Sequence, residues 1–185
     1  IVLTKYNAEG LGETFDYIHN LGLKRIMLNR YNIGGSGTVN PASVSATHSQ
    51  LCKAFAVANQ KSEDLGLVIS SNVCSPSCLL NPADYPKLTF GHCSSNPMSK
   101  PVTLDIDGNI RLCNHSPVVA GNIFKQQLTD ILCSPYTESW KFIPVYCSTC
   151  NIWDNCRGGC RAASEQCGLG LGHVDPVLTE PELQK

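Results

Sequence analysis

The sequence predicts a chain of two unlike parts. Residues 1–85 read as an α/β segment of three parallel β/α units. Residues 86–185 read as a small α+β domain, rich in cysteine and built around a β-hairpin. Three observations carry this. Short apolar runs alternate with amphipathic helical stretches up to Ser71. That pattern breaks at Asn72 into a stretch rich in Pro, Ser and Cys, with no usable period. Eleven cysteines stand in 185 residues, five of them packed between Cys147 and Cys167.

Ile1–Lys5 is β-branched and apolar, and predicts the first strand. Asn7 is placed to cap a helix over Ala8–Asn20, in which Leu11, Phe15 and Ile18 fall on one face, and Gly22 is placed to end it. Arg25–Asn29 predicts the second strand, and Gly34-Gly35-Ser36-Gly37 breaks the chain after it. Thr47–Leu65 is the strongest helix, with Leu51, Cys52, Phe55 and Ala58 on a common face and Gly66 as its stop. Leu67–Ser71 is the third strand. Helical crossovers between such strands make them parallel. Three strands close no barrel, so an open edge is expected, for a missing partner to cover.

The domain boundary is expected within residues 80–90, between residues 85 and 86. Pro101–Asp105 and Ile110–Cys113 flank Asp107-Gly108, a hairpin signal. Phe124–Cys133 predicts a short helix with Leu128, Ile131 and Leu132 inward and Cys133 ending the buried face, and Ser134-Pro135 stops it. The stretch after Cys167 has little to bury and is expected as an irregular tail.

Composition removes several function classes. Net charge is −1, with no run of Lys or Arg for nucleic acid or an anionic membrane. No apolar run approaches the ~18 residues of a membrane span, and the N-terminus lacks signal-peptide character. Charged residues are only 16%, which suggests that part of the surface is normally covered. The chain starts at Ile1 within a strand, as a piece of a longer protein would. An odd number of cysteines without a signal peptide argues against a disulfide scaffold. Clustered C-x2-C and C-x3-C pairs argue for metal or iron–sulfur ligation in a reducing, cytoplasmic compartment.

Cys147, Cys150, Cys156 and Cys167 supply four thiolates, enough for tetrahedral zinc or for one [4Fe–4S] cube, and spacing leaves that choice open. Cys160 follows Cys156 across Arg157-Gly158-Gly159, and with Cys93 and Cys113 makes a second set. Glycines there let backbone N–H groups approach sulfur. Asn151, Arg157 and Arg161 are candidates to offset cluster charge. His92 and His115 flank cluster cysteines.

The arrangement C-x14-G-x4-C, gap, C-x2-C-x5-C-x3-C, gap, C, filled by Cys93, Cys113, Cys147, Cys150, Cys156, Cys160 and Cys167, resembles the SPASM domain, the C-terminal cluster domain of many radical S-adenosylmethionine enzymes. The upstream strands IVLTKYN, KRIMLNRYNIGGSG and LVISS look like the last three of the partial (βα)6 barrel of such enzymes. The relatives include enzymes that mature anaerobic sulfatases, pyrroloquinoline quinone precursor peptides and other ribosomally made peptides.

The resemblance implies two auxiliary [4Fe–4S] clusters, with zinc a conceivable replacement. Cys147, Cys150, Cys156 and Cys167 would hold the outer one; Cys93, Cys113 and Cys160 the barrel-side one. The fourth barrel-side ligand lies outside the pattern; Cys78 is the first candidate and Cys74 the second. Asn29, Arg30, Gly35 and Gly37 would sit on the S-adenosylmethionine side of the barrel rim. The C-x3-C-x2-C loop that cleaves the cofactor in this family is absent, so this chain is not expected to perform that step alone. The implied partners are a peptide or protein substrate and the missing half-barrel or a partner subunit. The competing reading is a non-catalytic zinc or iron–sulfur scaffold that recruits a peptide.

Overall fold

The structure is a computed structural model and describes residues 1–94, 96 and 99–178. Four parallel strands run side by side through the first half. Strand β1 (Val2–Leu3) pairs with β3 (Asn29–Arg30), and β2 (Arg25–Met27) pairs with β4 (Val68–Ser71), which pairs in turn with β5 (Leu88–Phe90). β2 and β3 are two lengths of one strand joined at Leu28. The Leu28 N–H reaches Ser70 O at 2.8 Å on one side, and the next N–H, of Asn29, reaches Ile1 O at 2.9 Å on the other. This places β1, β2/β3, β4 and β5 in sequential spatial order, the arrangement that right-handed crossovers produce. Parallel sheets are thus present.

Helix α1 (Leu11–Asn20) and helix α2 (His48–Leu65) make the crossovers. α2 starts where its sequence says. Thr47 Oγ1 accepts the Gln50 N–H at 3.2 Å, and Gln50 Oε1 accepts the Thr47 N–H at 3.0 Å, a complete capping box. Gly66 ends the helix with φ +64°, a backbone that a Cβ would strain. Leu11, Phe15, Leu51, Ala54, Phe55 and Ala58 are buried and meet Leu3, Leu28 and Ile69 from the strands in one core. Tyr85 and Phe90 close this core around Phe55, with ring centroids 5.6–6.1 Å apart. Each such aromatic pair adds about 0.5–1.5 kcal/mol beyond its buried area.

The second half is built on an antiparallel sheet of β6 (Thr103–Leu104), β7 (Asn109–Arg111) and β8 (Gly121–Asn122). Gly108 turns the first hairpin with φ +79°, and Asp105 Oδ1 accepts the N–H groups of Asp107 and Asn109 at 3.0 and 2.9 Å. Four short helices follow: α3 (Leu128–Leu132), α4 (Pro135–Ser139), α5 (Trp153–Cys156) and α6 (Arg161–Gln166). Leu112, Trp140, Cys160, Ala162, Ala163 and Leu171 form its core.

Several elements depart from expectation. α1 begins at Leu11 because the Asn7 side chain is spent elsewhere: it accepts from the Thr4 N–H and donates to Val2 O, closing the turn after β1. The LTF run of residues 88–90 is a fourth parallel strand, so the sheet continues past residue 85. The predicted Phe124–Cys133 helix is reduced to α3. Phe124 is exposed and lies over Gly108, where a Cβ would meet its ring at 2.5 Å, and Cys133 is exposed. Ser134-Pro135 starts a new helix, since Ser134 Oγ caps the Thr137 N–H at 3.2 Å and Pro135 stands at N1. The stretch after Cys167 is packed down as far as Leu178: Asp175 is fully buried, and Leu171, Pro176 and Val177 are buried too. The rest of the predicted tail, residues 179–185, lies outside the described residues.

Replacing Thr47 by Ala should cost about 1 kcal/mol through loss of the capping box, and Thr47→Ser should restore most of it. Denaturant unfolding of the two variants checks this; equal stability of Thr47→Ala and the parent chain would show that tertiary packing alone fixes the start of α2.

Candidate metal centre

The chain leaving β4 is folded over the end of β3. Asn29 Oδ1 accepts the N–H groups of Asn72 and Val73 at 2.8 and 3.1 Å. The Arg30 guanidinium then grips the next residues, with Nη2 donating to Cys74 O at 2.9 Å and Nε to Ser75 Oγ at 3.2 Å. The same Nη2 forms an ion pair with Asp175, and both side chains are 1% exposed. Asp175 Oδ2 also accepts the Cys160 N–H at 2.7 Å, and its Oδ1 accepts the Val177 N–H at 3.1 Å. Full burial pushes the Asp175 carboxyl up from the usual range; Arg30 and the two backbone donors oppose that.

Around this ion pair the thiols fall into two groups. In the first, Cys74 and Cys93 act on each other most strongly: their interaction holds the Cys93 thiol below its ordinary range, helped by Lys100 and Arg161, and raises Cys74. Cys160, whose charge also raises Cys74, is pushed up to about 11 by burial and by Asp175. Asn32 Nδ2 donates to Cys160 Sγ at 3.2 Å and partly offsets this. Cys93 and Cys113 pack on the core that holds Cys160, Leu112 and Trp140. Lys100 Nζ lies 3.7 Å from Cys93 Sγ and 3.7 Å above the Trp140 ring.

The second group gathers Cys78, Cys147, Cys150 and Cys156. Burial raises the Cys78 thiol first, and the charges of Cys156 and Cys150 raise it further. Cys147 is raised by burial and then by Cys156, Cys150 and Cys78. The Ser77 N–H donates to Cys156 Sγ at 3.2 Å. Cys167 stands apart as the C-cap of α6, its thiol raised by burial and by Asp175. Of the two candidates for the fourth barrel-side ligand, the structure therefore sets Cys74 beside Cys93 and Cys160, and Cys78 beside the C-x2-C-x5-C run.

The residues expected on the cofactor side of the rim join the two halves here. Gly35 N–H donates to Gln166 Oε1 at 3.0 Å, and Gln166 Nε2 donates to His115 O at 2.7 Å. His115 Nε2 lies 2.9 Å from Ile33 O, and a Cβ on Gly34 would meet the His115 ring at 2.4 Å. A side chain at Gly37 would run into the Tyr31 hydroxyl. Asn29 and Arg30 hold the linker as described. Arg30 also borders a cavity of 260 Å³ between the ends of β1 and β3 and the start of α2, lined further by Tyr31, Ile33, His48 and Leu51.

Residues 93–160 match the family model of SPASM, an iron–sulfur cluster-binding domain. The matched stretch contains Cys93, Cys113, Cys147, Cys150, Cys156 and Cys160, and it supports iron–sulfur binding by this part of the chain. No curated protein and no solved structure matches the chain significantly.

The donor chemistry of the SPASM region fits an iron–sulfur group. All eleven cysteines are unpaired thiols, and N–H donors from Asn32 and Ser77 already point at Cys160 and Cys156. Among the described residues no three His, Cys, Asp or Glu side chains are drawn tightly enough around one point to hold a single ion. Sequence reasoning missed Asn32, Lys100 and Asp175. Asp175 carried no signal, since it lies in a stretch that looks irregular. Lys100 stands seven residues after Cys93 and was readable only as one more surface cation.

Arg30→Met should destabilise the chain by about 3–5 kcal/mol, because it leaves Asp175 buried without its counter-charge. Arg30→Lys should fall between the two, keeping the charge but losing the fork that also reaches Ser75 and Cys74 O. Urea unfolding measures both; a Met variant within experimental error of the parent would contradict the role given to the pair.

Proposed function

We propose that this chain is the cluster-bearing C-terminal part of a radical S-adenosylmethionine enzyme that modifies a peptide or a protein. The observation that carries the proposal is the pair of thiol groups at the junction between a parallel β/α sheet and a region matching an iron–sulfur cluster-binding domain. The sheet would be the last part of a partial barrel. Cys74, Cys93, Cys113 and Cys160 would hold the barrel-side cluster, and Cys147, Cys150 and Cys156 most of the outer one. When bound, the two [4Fe–4S] clusters would supply one-electron transfer or an anchor for substrate.

The chain's own residues tune and insulate these sites. Trp140, Leu112 and Ala163 are buried beside Cys160 and keep water from the first group. Asn32 donates to Cys160 Sγ, which favours the more reduced, more negative state of anything that sulfur binds. Lys100 and Arg161 supply positive charge toward Cys93. Strand β1 pairs only with β3 among the described residues, and its far edge is where the preceding β/α units or a partner subunit would add. No helix among the described residues is long and apolar enough to cross a membrane. A reducing, cytoplasmic setting is the one in which eleven free thiols persist.

Made and reconstituted without oxygen, the chain should be brown and carry about eight irons with matching sulfide, two cubes of four. Colourless anaerobic protein with stoichiometric zinc would overturn the proposal in favour of a zinc scaffold. Asn32→Leu should keep the iron count and lower the reduction potential of one cluster only, read by electrochemical titration. A variant with both potentials unchanged would mean that Cys160 binds nothing redox-active.

A further inference from the structure

The cavity beside Arg30 belongs to neither thiol group. Side chains alternate along a strand, so Leu3 and Arg30 share a face with Ile26 and Leu28, the face that packs against α1 and α2. Val2, Met27 and Val68 lie on the opposite face and are 54%, 48% and 53% exposed. That opposite face is the one a completed barrel would enclose. The cavity of 260 Å³ is therefore on the helix side of the sheet, walled by the loop of residues 41–46 and by the start of α2.

The loop is stitched to the end of β1, so the cavity is formed before anything enters it. The Lys5 N–H donates to Val44 O at 3.0 Å, Lys5 Nζ to Ala42 O at 3.2 Å, and the Tyr6 hydroxyl to Ser43 O at 2.8 Å. Small side chains at Ala42, Ser45 and Ala46 leave the space open, over an apolar floor of Leu3, Ile33, Leu51 and Val177. Lys5 and Arg30 border the space, and no carboxylate does. Arg30 is already neutralised by Asp175. Lys5 is not: among the described residues no carboxylate lies within ion-pair distance of its ammonium. Ala42 O holds that ammonium at the rim.

We infer that this cavity binds a small monocarboxylate with a short, branched aliphatic body. The body displaces water from the apolar floor, and the carboxylate pairs with Lys5. A neutral ligand leaves Lys5 without a counter-charge. A dianion finds only one free cation, since Arg30 is committed to Asp175. Iron at the thiols is not required for binding. The occupant packs against the wall formed by Arg30 and Val177, and so against the segment that carries Asp175.

The test uses the full chain, kept anaerobic and supplied with iron and sulfide, with three probes: 4-methylpentanoate, its neutral amide 4-methylpentanamide, and acetate. Isothermal titration should show one 4-methylpentanoate bound per chain. The amide and acetate should each bind at least about tenfold more weakly, since a charge-assisted hydrogen bond and a buried aliphatic body are each worth such a factor. Lys5→Met should reduce the affinity for 4-methylpentanoate to that for the amide and leave the amide unchanged. Ala46→Phe should fill the cavity and abolish binding of both. Equal affinity of acid and amide for the parent chain, or full affinity of Lys5→Met for the acid, overturns the assignment. Full affinity of Ala46→Phe puts the ligand elsewhere and overturns it too, as does the lack of any saturable binding to the parent. Should Ala46→Phe fail to fold, Lys5→Met at the rim decides alone.

Discussion

The buried ion pair of Arg30 and Asp175 is the constraint on which the arrangement of thiols depends. Arg30 comes from the end of a parallel strand, Asp175 from a segment 145 residues later, and each is 1% exposed. Taking two charges out of water costs several kcal/mol per ion, and their attraction repays it only with good geometry and with the remaining donors and acceptors filled. Here they are filled by Cys74 O, Ser75 Oγ and the N–H groups of Cys160 and Val177. Two of those partners belong to cysteines, so the pair fixes the backbone of a thiol from each C-x3-C segment, Cys74 to Cys78 and Cys156 to Cys160. A hydrophobic pair would fill the same space but would hold neither segment in register.

The rest of the junction repeats this economy of contacts. Asn29 binds the two N–H groups that begin the linker, and the glycine loop after β3 presses on His115 and bonds to Gln166. A glycine run after a parallel strand is read most simply as a cradle for a ligand. In this chain Gly34 serves close approach to the His115 ring, and Gly35, with φ +54°, turns its N–H to Gln166. The rim of the sheet and the hairpin end of the cysteine-rich region are therefore one continuous surface.

What the sequence showed and what it hid divide along physical lines. The Phe55 stripe and the Gly66 stop are local signals, and α2 follows them, running from His48 to Leu65 with Thr47 as its cap. The Asp107-Gly108 hairpin is equally local. The fourth parallel strand was hidden because Leu88–Phe90 is three residues long and follows Pro86, and what holds it is long-range: the ladder with β4 and the Phe55, Tyr85 and Phe90 contacts. Iron–sulfur binding by the cysteine-rich part was legible from the spacing of its thiols. Which linker cysteine joins which set was not, because Cys74 and Cys78 are four residues apart and spacing to Cys93 ranks them only by proximity. Their placement comes from Arg30, Pro76 and Gly159, all long-range contacts with no periodic trace.

Charge sets the final requirement on this core. A chain that gathers thiols this closely must either keep them protonated or supply counter-charge, because neighbouring thiolates repel and burial disfavours each of them. Burial and then neighbouring thiolates raise the Cys78 and Cys147 thiols, and burial with Asp175 raises Cys160. Arg161 answers part of it: it is fully buried, its Nε bonds Leu171 O at 3.0 Å, and both Cys93 and Cys147 act on its charge. One guanidinium thus lies under the influence of both thiol groups. The two C-x3-C segments cannot separate the groups widely either, since four peptide steps reach about 14 Å at most.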